Sequence, residues 1–214
     1  ESQDAIKDFD FIGITIQYEM CYTNILQVLD LAQIPLLAKD RTENHPVVIG
    51  GGPCTYNPEP LAEFFDMFYI GEGETVFYDL MDQYKEWKQS GKSRKEFLEM
   101  AAEIPGIYVP SLYEVDYHED GTIASFEPKY SDVPKTVCKE VETNISDTFY
   151  PVKPVVPFIK ATQARVTLEI MRGCIRGCRF CQAGFSCRPV RRKSAGVLYR
   201  QATETLEDSG HNEI

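Results

Sequence analysis

The sequence predicts an α/β protein with a parallel sheet, followed by a small β element and the start of a second α/β unit. Apolar stretches of strand length alternate with helical periodicity through the N-terminal half, and glycine-rich turns follow two of these stretches. A pattern of strand, long loop and helix returns near the C-terminal end. Such alternation is typical of parallel strands joined by crossover helices. A chain of 214 residues can hold one or two such domains.

The predicted strands of the first part come from short apolar runs. Residues 9–16 are apolar at nearly every position, which indicates a strand buried on both faces. Residues 46–49 and 67–70 repeat this pattern. Between the first two runs, residues 22–32 place apolar side chains on one helical side, which predicts an amphipathic helix.

Three further helices are predicted from their start signals. Asn57 followed by Pro58 has the form of an N-cap and first helical residue. A long helix is expected after the turn at residues 71–74, ending near Gln89. Ser93 and Glu96 have the spacing of a capping box and predict a helix that ends near residue 103.

The two glycine-rich turns follow predicted strand ends. Gly51 and Gly52 lie in one, and Gly71 and Gly73 lie in the other. Ligands of open α/β sheets bind at this edge, although glycines are also required there simply for tight turning. Neither turn matches the dinucleotide fingerprint, so we expect no nicotinamide cofactor. The choice between a ligand loop and a purely structural turn stays open.

The texture of the sequence changes after residue 105. Residues 113–118 alternate, Asp120-Gly121 is a hairpin turn signal, and prolines punctuate the remainder. Residues 166–170 predict a strand, and Ser194 caps a predicted helix over 195–207. We therefore divide the chain into an α/β domain (1–105), a β hairpin with linker (106–160), and the start of a second α/β domain (161–214).

Charge is distributed unevenly. The net charge is −11, yet residues 160–200 hold ten Lys or Arg and one acid, giving +9 there and −20 elsewhere. The acidic part argues against extensive nucleic-acid binding, and the basic part favours an anionic group near it. No apolar run is long enough to span a membrane. The first four residues show no secretory leader and no initiator Met, so we expect an excised piece of a cytoplasmic protein.

Four of the seven cysteines lie within residues 174–187. An odd number of clustered cysteines favours a cytosolic metal or cluster site over a disulfide framework. Cys174, Cys178 and Cys181 have the spacing C-x3-C-x2-C, and three thiolates can hold three irons of a [4Fe–4S] cubane and leave the fourth iron open. Two alternatives use Cys187 as fourth ligand: a zinc site, or a closed cluster for electron transfer.

This spacing, with Phe180 just before the third cysteine and a predicted strand before the loop, resembles the radical S-adenosylmethionine (SAM) superfamily. The resemblance implies a barrel whose first β/α unit begins here, and SAM bound at the open iron near Phe180 and Gly184. It further implies one-electron cleavage of SAM to a 5′-deoxyadenosyl radical, with an electron donor such as ferredoxin or flavodoxin. The substrate is not named; Arg188, Arg191, Arg192 and Lys193 make a phosphate-bearing molecule or RNA conceivable.

The resemblance extends beyond the loop to an uncharacterised bacterial family of radical SAM proteins with an N-terminal B12-binding-like domain. It is carried by residues 10–13, 16–19, 22–26, 34–37, 51–54, 57–60, 70–74, 172–184 and 188–191. Full members are longer, so the chain resembles an internal fragment with a partial B12-binding-like, Rossmann-type sheet, and we expect it to be inactive alone. Cobalamin or a nucleotide at Gly51, Gly52, Gly71 and Gly73 is allowed, but no Asp-x-His-x-x-Gly motif occurs.

Overall fold

A computed structural model describes residues 3–74, 76–159, 162 and 164–214 of the chain. The chain divides into two compact units, residues 1–141 and residues 142–214. No helix among the described residues is long and apolar enough to cross a membrane. The three-way division expected from sequence stays a prediction, and the two units are described separately below.

The first unit is built on a four-stranded sheet with the order β1-β2-β3-β4. The strands are β1 (Phe11–Thr15), β2 (Val47–Gly51), β3 (Met67–Tyr69) and β4 (Ile107–Tyr108). The first three strands pair in parallel, as predicted, whereas β4 pairs antiparallel with β3. The sequence pattern did not reveal β4, because a strand of two residues carries no periodicity.

The position of β1 in the sheet corrects one expectation. Sequence indicated burial on both faces, but most residues of β1 are half-buried or exposed. β1 is the last strand on its side of the sheet within the described residues. By contrast β2, which lies between β1 and β3, is buried at its first four positions.

Three helices surround this sheet: α1 (Tyr22–Leu31), α2 (Phe77–Ser90) and α3 (Arg94–Ala101). Each confirms a predicted helix within a few residues. The capping box of α3 is present, since Ser93 accepts from the Glu96 amide and the Glu96 side chain accepts from the Ser93 amide. The predicted helix at Asn57 is wrong: residues 53–61 form two short 3₁₀ turns. Pro60 disfavours the α conformation of the residue before it, Glu59, and so opposes a continuous α-helix at this point.

The predicted hairpin is confirmed as β5 (Tyr113–Tyr117) and β6 (Ile123–Pro128). Aromatic contacts join it to the sheet of the first unit. The rings of Tyr108 and Tyr113 lie 5.1 Å apart, and those of Tyr113 and Phe126 lie 4.9 Å apart. Tyr113 of β5 belongs to the hydrophobic core of the first unit.

Asp66 organises the edge of the sheet where the parallel strands begin. Its Oδ2 accepts from Arg41 Nη1 at 3.0 Å, Arg94 Nη2 at 2.8 Å and the Val48 amide at 2.7 Å. All three side chains of this Arg41–Asp66–Arg94 cluster are nearly or fully buried. The remaining guanidinium bonds run to backbone carbonyls of the loops before β2 and β3.

The second unit contains β7 (Met171–Arg172), α4 (Ala183–Ser186), β8 (Arg191–Arg192) and α5 (Ala195–Ser209). Ser194 caps α5 as predicted, and Gly210 ends it with a left-handed φ of 72°. Residues 166–170 form no strand, which differs from the prediction. Within the described residues this segment forms isolated hydrogen bonds instead of a ladder. For example, the Val166 amide donates to the Glu213 carbonyl.

Candidate cysteine site

The three predicted cluster cysteines lie on one loop that a short ribbon closes. The loop leaves β7 after Arg172 and returns at β8, whose Arg191 and Arg192 pair antiparallel with Arg172 and Met171. Between these points the chain carries Cys174, Cys178 and Cys181. Cys174 and Cys181 are half-buried and Cys178 is exposed. The ribbon thus fixes both ends of the loop that carries the candidate ligands.

Two backbone amides form hydrogen bonds within the loop, one of them to a cysteine sulfur. The Arg176 amide donates to Cys174 Sγ at 3.4 Å, and the Cys181 amide donates to the Cys178 carbonyl at 3.1 Å. N–H groups directed at sulfur stabilise a thiolate and tune any iron that it binds. The loop therefore turns around the first cysteine in a way that suits a ligand.

Gly184 packs against the third cysteine. It is buried at the start of α4, and a Cβ placed on it would lie 3.9 Å from Cys181 Sγ and 3.5 Å from the Arg176 carbonyl oxygen. A larger residue at 184 would therefore fill the space beside the sulfur. The assignment of Gly184 to the neighbourhood of SAM stays a prediction.

The donor set fits a [4Fe–4S] cluster in its chemistry, since cysteine thiolates are the usual ligands of such clusters. The sulfurs are not gathered, however: the described residues hold no group of three or more His, Cys, Asp or Glu side chains positioned for a metal ion. Cys174, Cys178 and Cys181 remain the residues that would hold the cluster. Binding would require the loop to draw their sulfurs together.

The returning arm of the loop, residues 187–189, packs against the residues on either side of Cys174. Gly173 has a φ of +86°, and a Cβ there would lie 2.7 Å from the Pro189 carbonyl oxygen and 2.8 Å from that of Cys187. Arg188 Nη2 donates to the Arg176 carbonyl at 3.0 Å. Glycine is thus required at 173 because the two arms of the loop lie in contact.

Arg191 holds the base of this arrangement, a role that the sequence did not reveal. Its side chain donates to three carbonyls: Nε to Pro189 at 3.0 Å, Nη1 to Glu142 at 2.6 Å and Nη2 to Cys187 at 3.3 Å. Arg191 is buried. Arg191 and Lys193 are buried and Arg192 is exposed, but three consecutive cations carry no signal of this difference in the sequence.

The basic residues near the loop are therefore not a uniform cationic surface. Lys193 is buried, with its Nζ 3.6 Å from Glu169 and 4.8 Å from the Tyr150 ring centroid. Arg172 binds Glu169 through two bonds of 2.6 and 3.1 Å. The Arg172 hydrogen bond lowers the pKa of Glu169, with a further contribution from the Lys193 charge. Of the four residues considered for phosphate or RNA contact, Arg188 and Arg192 are exposed.

Phe180 and Cys187 are exposed, unlike several other residues of this region. Phe180 is 91% exposed, so its ring is available to a ligand and contributes little to packing. Cys187 is exposed, with Sγ 3.7 Å from Ser186 Oγ. These positions leave the role of Cys187 as a fourth ligand open.

The glycines of the first unit lie at the carboxyl edge of the parallel strands, as expected. Gly71 has a φ of +121°, and a Cβ there would lie 2.2 Å from the Glu140 carbonyl oxygen. A Cβ on Gly52 would lie 3.0 Å from the Ile16 carbonyl oxygen. Among the described residues, no atom beyond the chain neighbours lies within 4 Å of a Cβ on Gly51, and the nearest such atom to a Cβ on Gly73 is 3.6 Å away. Close packing thus accounts for Gly71 and Gly52, while a ligand at these loops stays a prediction.

Comparison with known proteins gives two matches. Residues 1–110 match the family model described as radical SAM proteins, N-terminal. The chain is 30% identical over 219 aligned positions to the uncharacterized protein MJ0966 of Methanocaldococcus jannaschii. That alignment covers the whole chain but 39% of the relative, so the chain spans less than half the length of the protein it matches.

Proposed function

The chain belongs to the radical SAM proteins, and from that premise we propose that Cys174, Cys178 and Cys181 bind a [4Fe–4S] cluster that cleaves SAM reductively. One observation carries the proposal. Three cysteines with the spacing C-x3-C-x2-C lie on a single loop, closed by β7 and β8, whose Arg176 amide donates to Cys174 Sγ. When bound, the cluster would supply the electron that converts SAM to a 5′-deoxyadenosyl radical.

The residues of the loop have separate tasks in this proposal. The three thiolates hold iron and leave one coordination position without a protein ligand. Gly173 and Gly184 allow the two arms of the loop to approach each other and the third cysteine. The exposed Phe180 offers its backbone and ring to the adenine side of SAM. The Arg176 amide stabilises negative charge on Cys174.

Substrate, redox partner and domain context remain proposals of wider scope. A ferredoxin or flavodoxin would supply the electron, and a cytoplasmic location suits reduced cysteines. The second unit would be the first β/α unit of a longer barrel, and the first unit a B12-binding-like domain. A phosphate-bearing or RNA substrate depends on Arg188 and Arg192, since Arg191 and Lys193 are buried. Cobalamin at the glycine loops is the least supported proposal, because packing explains Gly71.

The test is electron paramagnetic resonance of the anaerobically reconstituted, reduced protein with and without SAM. A spectrum shifted by SAM is expected, because SAM would occupy the open iron. A cluster indifferent to SAM would contradict the proposal and favour the alternative, an iron–sulfur binding or electron-transfer module. The Cys187→Ala variant is the matched control. If Cys187 is the fourth ligand of the cluster in the native chain, SAM should shift the spectrum of Cys187→Ala and not that of the native protein.

A further inference from the structure

The proposed function leaves unused a cavity of about 740 Å³ in the first unit. It lies at the amino edge of the parallel strands, opposite the glycine loops, and is lined by the start of α3, the segment before β3 and strand β5. Its volume falls in the range of sites for small organic ligands. No residue of the cysteine loop lines it.

The buried charge beside this cavity is not balanced. Arg41, Asp66 and Arg94 all line it, and their side chains are 0%, 1% and 7% exposed. Two guanidinium groups thus share one carboxylate in the interior. Glu43, a further acid of the lining, is exposed and accepts from the Arg94 amide at 3.2 Å. The interior itself retains one positive charge, and buried charge is costly without a partner.

Arg94 also retains an unused donor. Its Nη atoms donate to the carbonyls of Thr42, His45 and Pro46 and to Asp66. Its Nε is buried and has no hydrogen-bond partner within the described residues. Arg94 as a whole is 6% exposed. An unsatisfied buried N–H of a cation is unfavourable, and an oxyanion from a ligand would satisfy it.

One part of the remaining lining is apolar and aromatic, and another part is charged. Phe65, Leu98, Leu112, Tyr113 and Val115 contribute to the wall. Three lysines and three acids also line the cavity: Lys39, Lys95, Lys129, Glu43, Glu59 and Glu63. Glu59 is already engaged by the Tyr108 hydroxyl. Sites for small molecules combine an apolar wall, which packs against the ligand, with polar groups that fix its orientation.

We propose that this cavity binds a small organic anion with an aromatic body. One anionic oxygen accepts a hydrogen bond from Arg94 Nε, and the aromatic body packs against the wall formed by Phe65, Leu98 and Val115. The positive charge of the Arg41–Asp66–Arg94 cluster selects an anion over a neutral molecule of the same shape.

The probe for this site is 8-anilinonaphthalene-1-sulfonate, an aromatic anion whose fluorescence reports binding. Its neutral counterpart, N-phenyl-1-naphthylamine, lacks the sulfonate. We expect the protein to bind the sulfonate saturably at one site, about tenfold more tightly than the neutral amine, which corresponds to about 1.4 kcal/mol. Absence of saturable binding, or equal affinity for the two probes, would overturn the proposal.

Variants locate the binding. Leu98→Trp fills the cavity and is expected to weaken sulfonate binding at least about tenfold. Ile123→Trp is the matched control, since Ile123 is exposed on β6 and does not line the cavity. Val115→Trp provides a second filling variant if Leu98→Trp fails to fold. Equal affinity of the filled and control variants would place the probe elsewhere and contradict the proposal.

The role of Arg94 is tested separately with Arg94→Lys, which keeps the charge and removes Nε. We expect this variant to bind the sulfonate about tenfold more weakly. Circular dichroism of the free variant establishes that the fold is retained. Unchanged affinity in a folded Arg94→Lys would assign the anion to the lysines of the cavity and overturn the contact with Arg94.

Discussion

Arg191 and Glu169 show how charged side chains of the basic segment are used inside the second unit. Arg191 joins three carbonyls around the base of the cysteine loop, and Glu169 joins Arg172 to Lys193. The sequence alone predicted the cysteines, because their spacing has a direct chemical meaning. It could not distinguish Arg191 from Arg192, since a guanidinium that binds carbonyls leaves no pattern in neighbouring residues.

Arg191→Ala is expected to lower the free energy of unfolding by about 2 kcal/mol, because the carbonyls that it binds would lose a charged donor. The same variant should retain less iron after reconstitution, since the arm through Cys187 and Pro189 would no longer be fixed. Chemical denaturation and iron analysis measure the two effects. Arg192→Ala is the control: Arg192 is exposed, and its removal should change stability by less than about 0.5 kcal/mol.

Glu169 makes part of the stability depend on pH. Hydrogen bonding to Arg172 lowers its pKa below the ordinary 4.5. A lowered carboxyl pKa contributes stability that is complete above the ordinary value and is lost as pH falls through the lowered value. Glu169→Gln should therefore be less stable than the native protein by a constant amount above pH 4.5. The difference should shrink below that pH in denaturation of cluster-free protein; a difference independent of pH would contradict this account.

At the scale of elements, the sequence predicted helix starts best, because a helix cap depends only on residues that are close in sequence. The capping box at Ser93 and the cap at Ser194 satisfy amides of their own helices, so both helices begin where predicted. Burial of β1 and the absence of a strand at residues 166–170 depend on which partners lie alongside. Sequence periodicity carries no information about those partners.

Gly71, just after β3, lies against the backbone of Glu140, which is distant in sequence. Gly71→Ala is expected to destabilise the protein by more than about 2 kcal/mol, because its Cβ would collide with the Glu140 backbone at a positive φ. Gly51→Ala, at the end of β2, is the matched control, because no described atom beyond the chain neighbours lies within 4 Å of a Cβ there. Thermal unfolding compares the two. Equal effects would mean that the segment at Glu140 does not pack on Gly71.

At the scale of the whole molecule, each of the two units has its own organising feature. Asp66 in the first unit ties β2 to Arg41 and Arg94, whose other bonds reach the loops before β2 and β3. In the second unit, the organising feature is the cysteine loop, which β7 and β8 close. The mixed α/β fold with its parallel strands was predictable from sequence, and the three cysteines as cluster ligands stay a prediction. The Asp66 cluster was not predictable, because Arg41 and Arg94 lie 25 and 28 residues from Asp66 in the sequence.

Asp66→Asn keeps the shape of the side chain but leaves two buried guanidinium groups without a carboxylate. We expect a loss of about 3–5 kcal/mol in the free energy of unfolding, the range for breaking a buried ion pair. Asp82→Asn is the control, because the Asp82–Lys85 pair is about 70% exposed and should contribute about 0–1 kcal/mol. Similar losses from both variants, measured by urea denaturation, would contradict the importance assigned to the Asp66 cluster.

The most direct test of the central claim is the iron and sulfide content of the anaerobically reconstituted protein. About four irons and four sulfides per chain are expected for the native sequence and for Cys187→Ala, since three ligands suffice for the cluster. Cys174→Ala, Cys178→Ala and Cys181→Ala should each hold substantially less iron. Native iron content in any of these three variants, or loss of the cluster in Cys187→Ala, would contradict the assignment of Cys174, Cys178 and Cys181 as its three ligands.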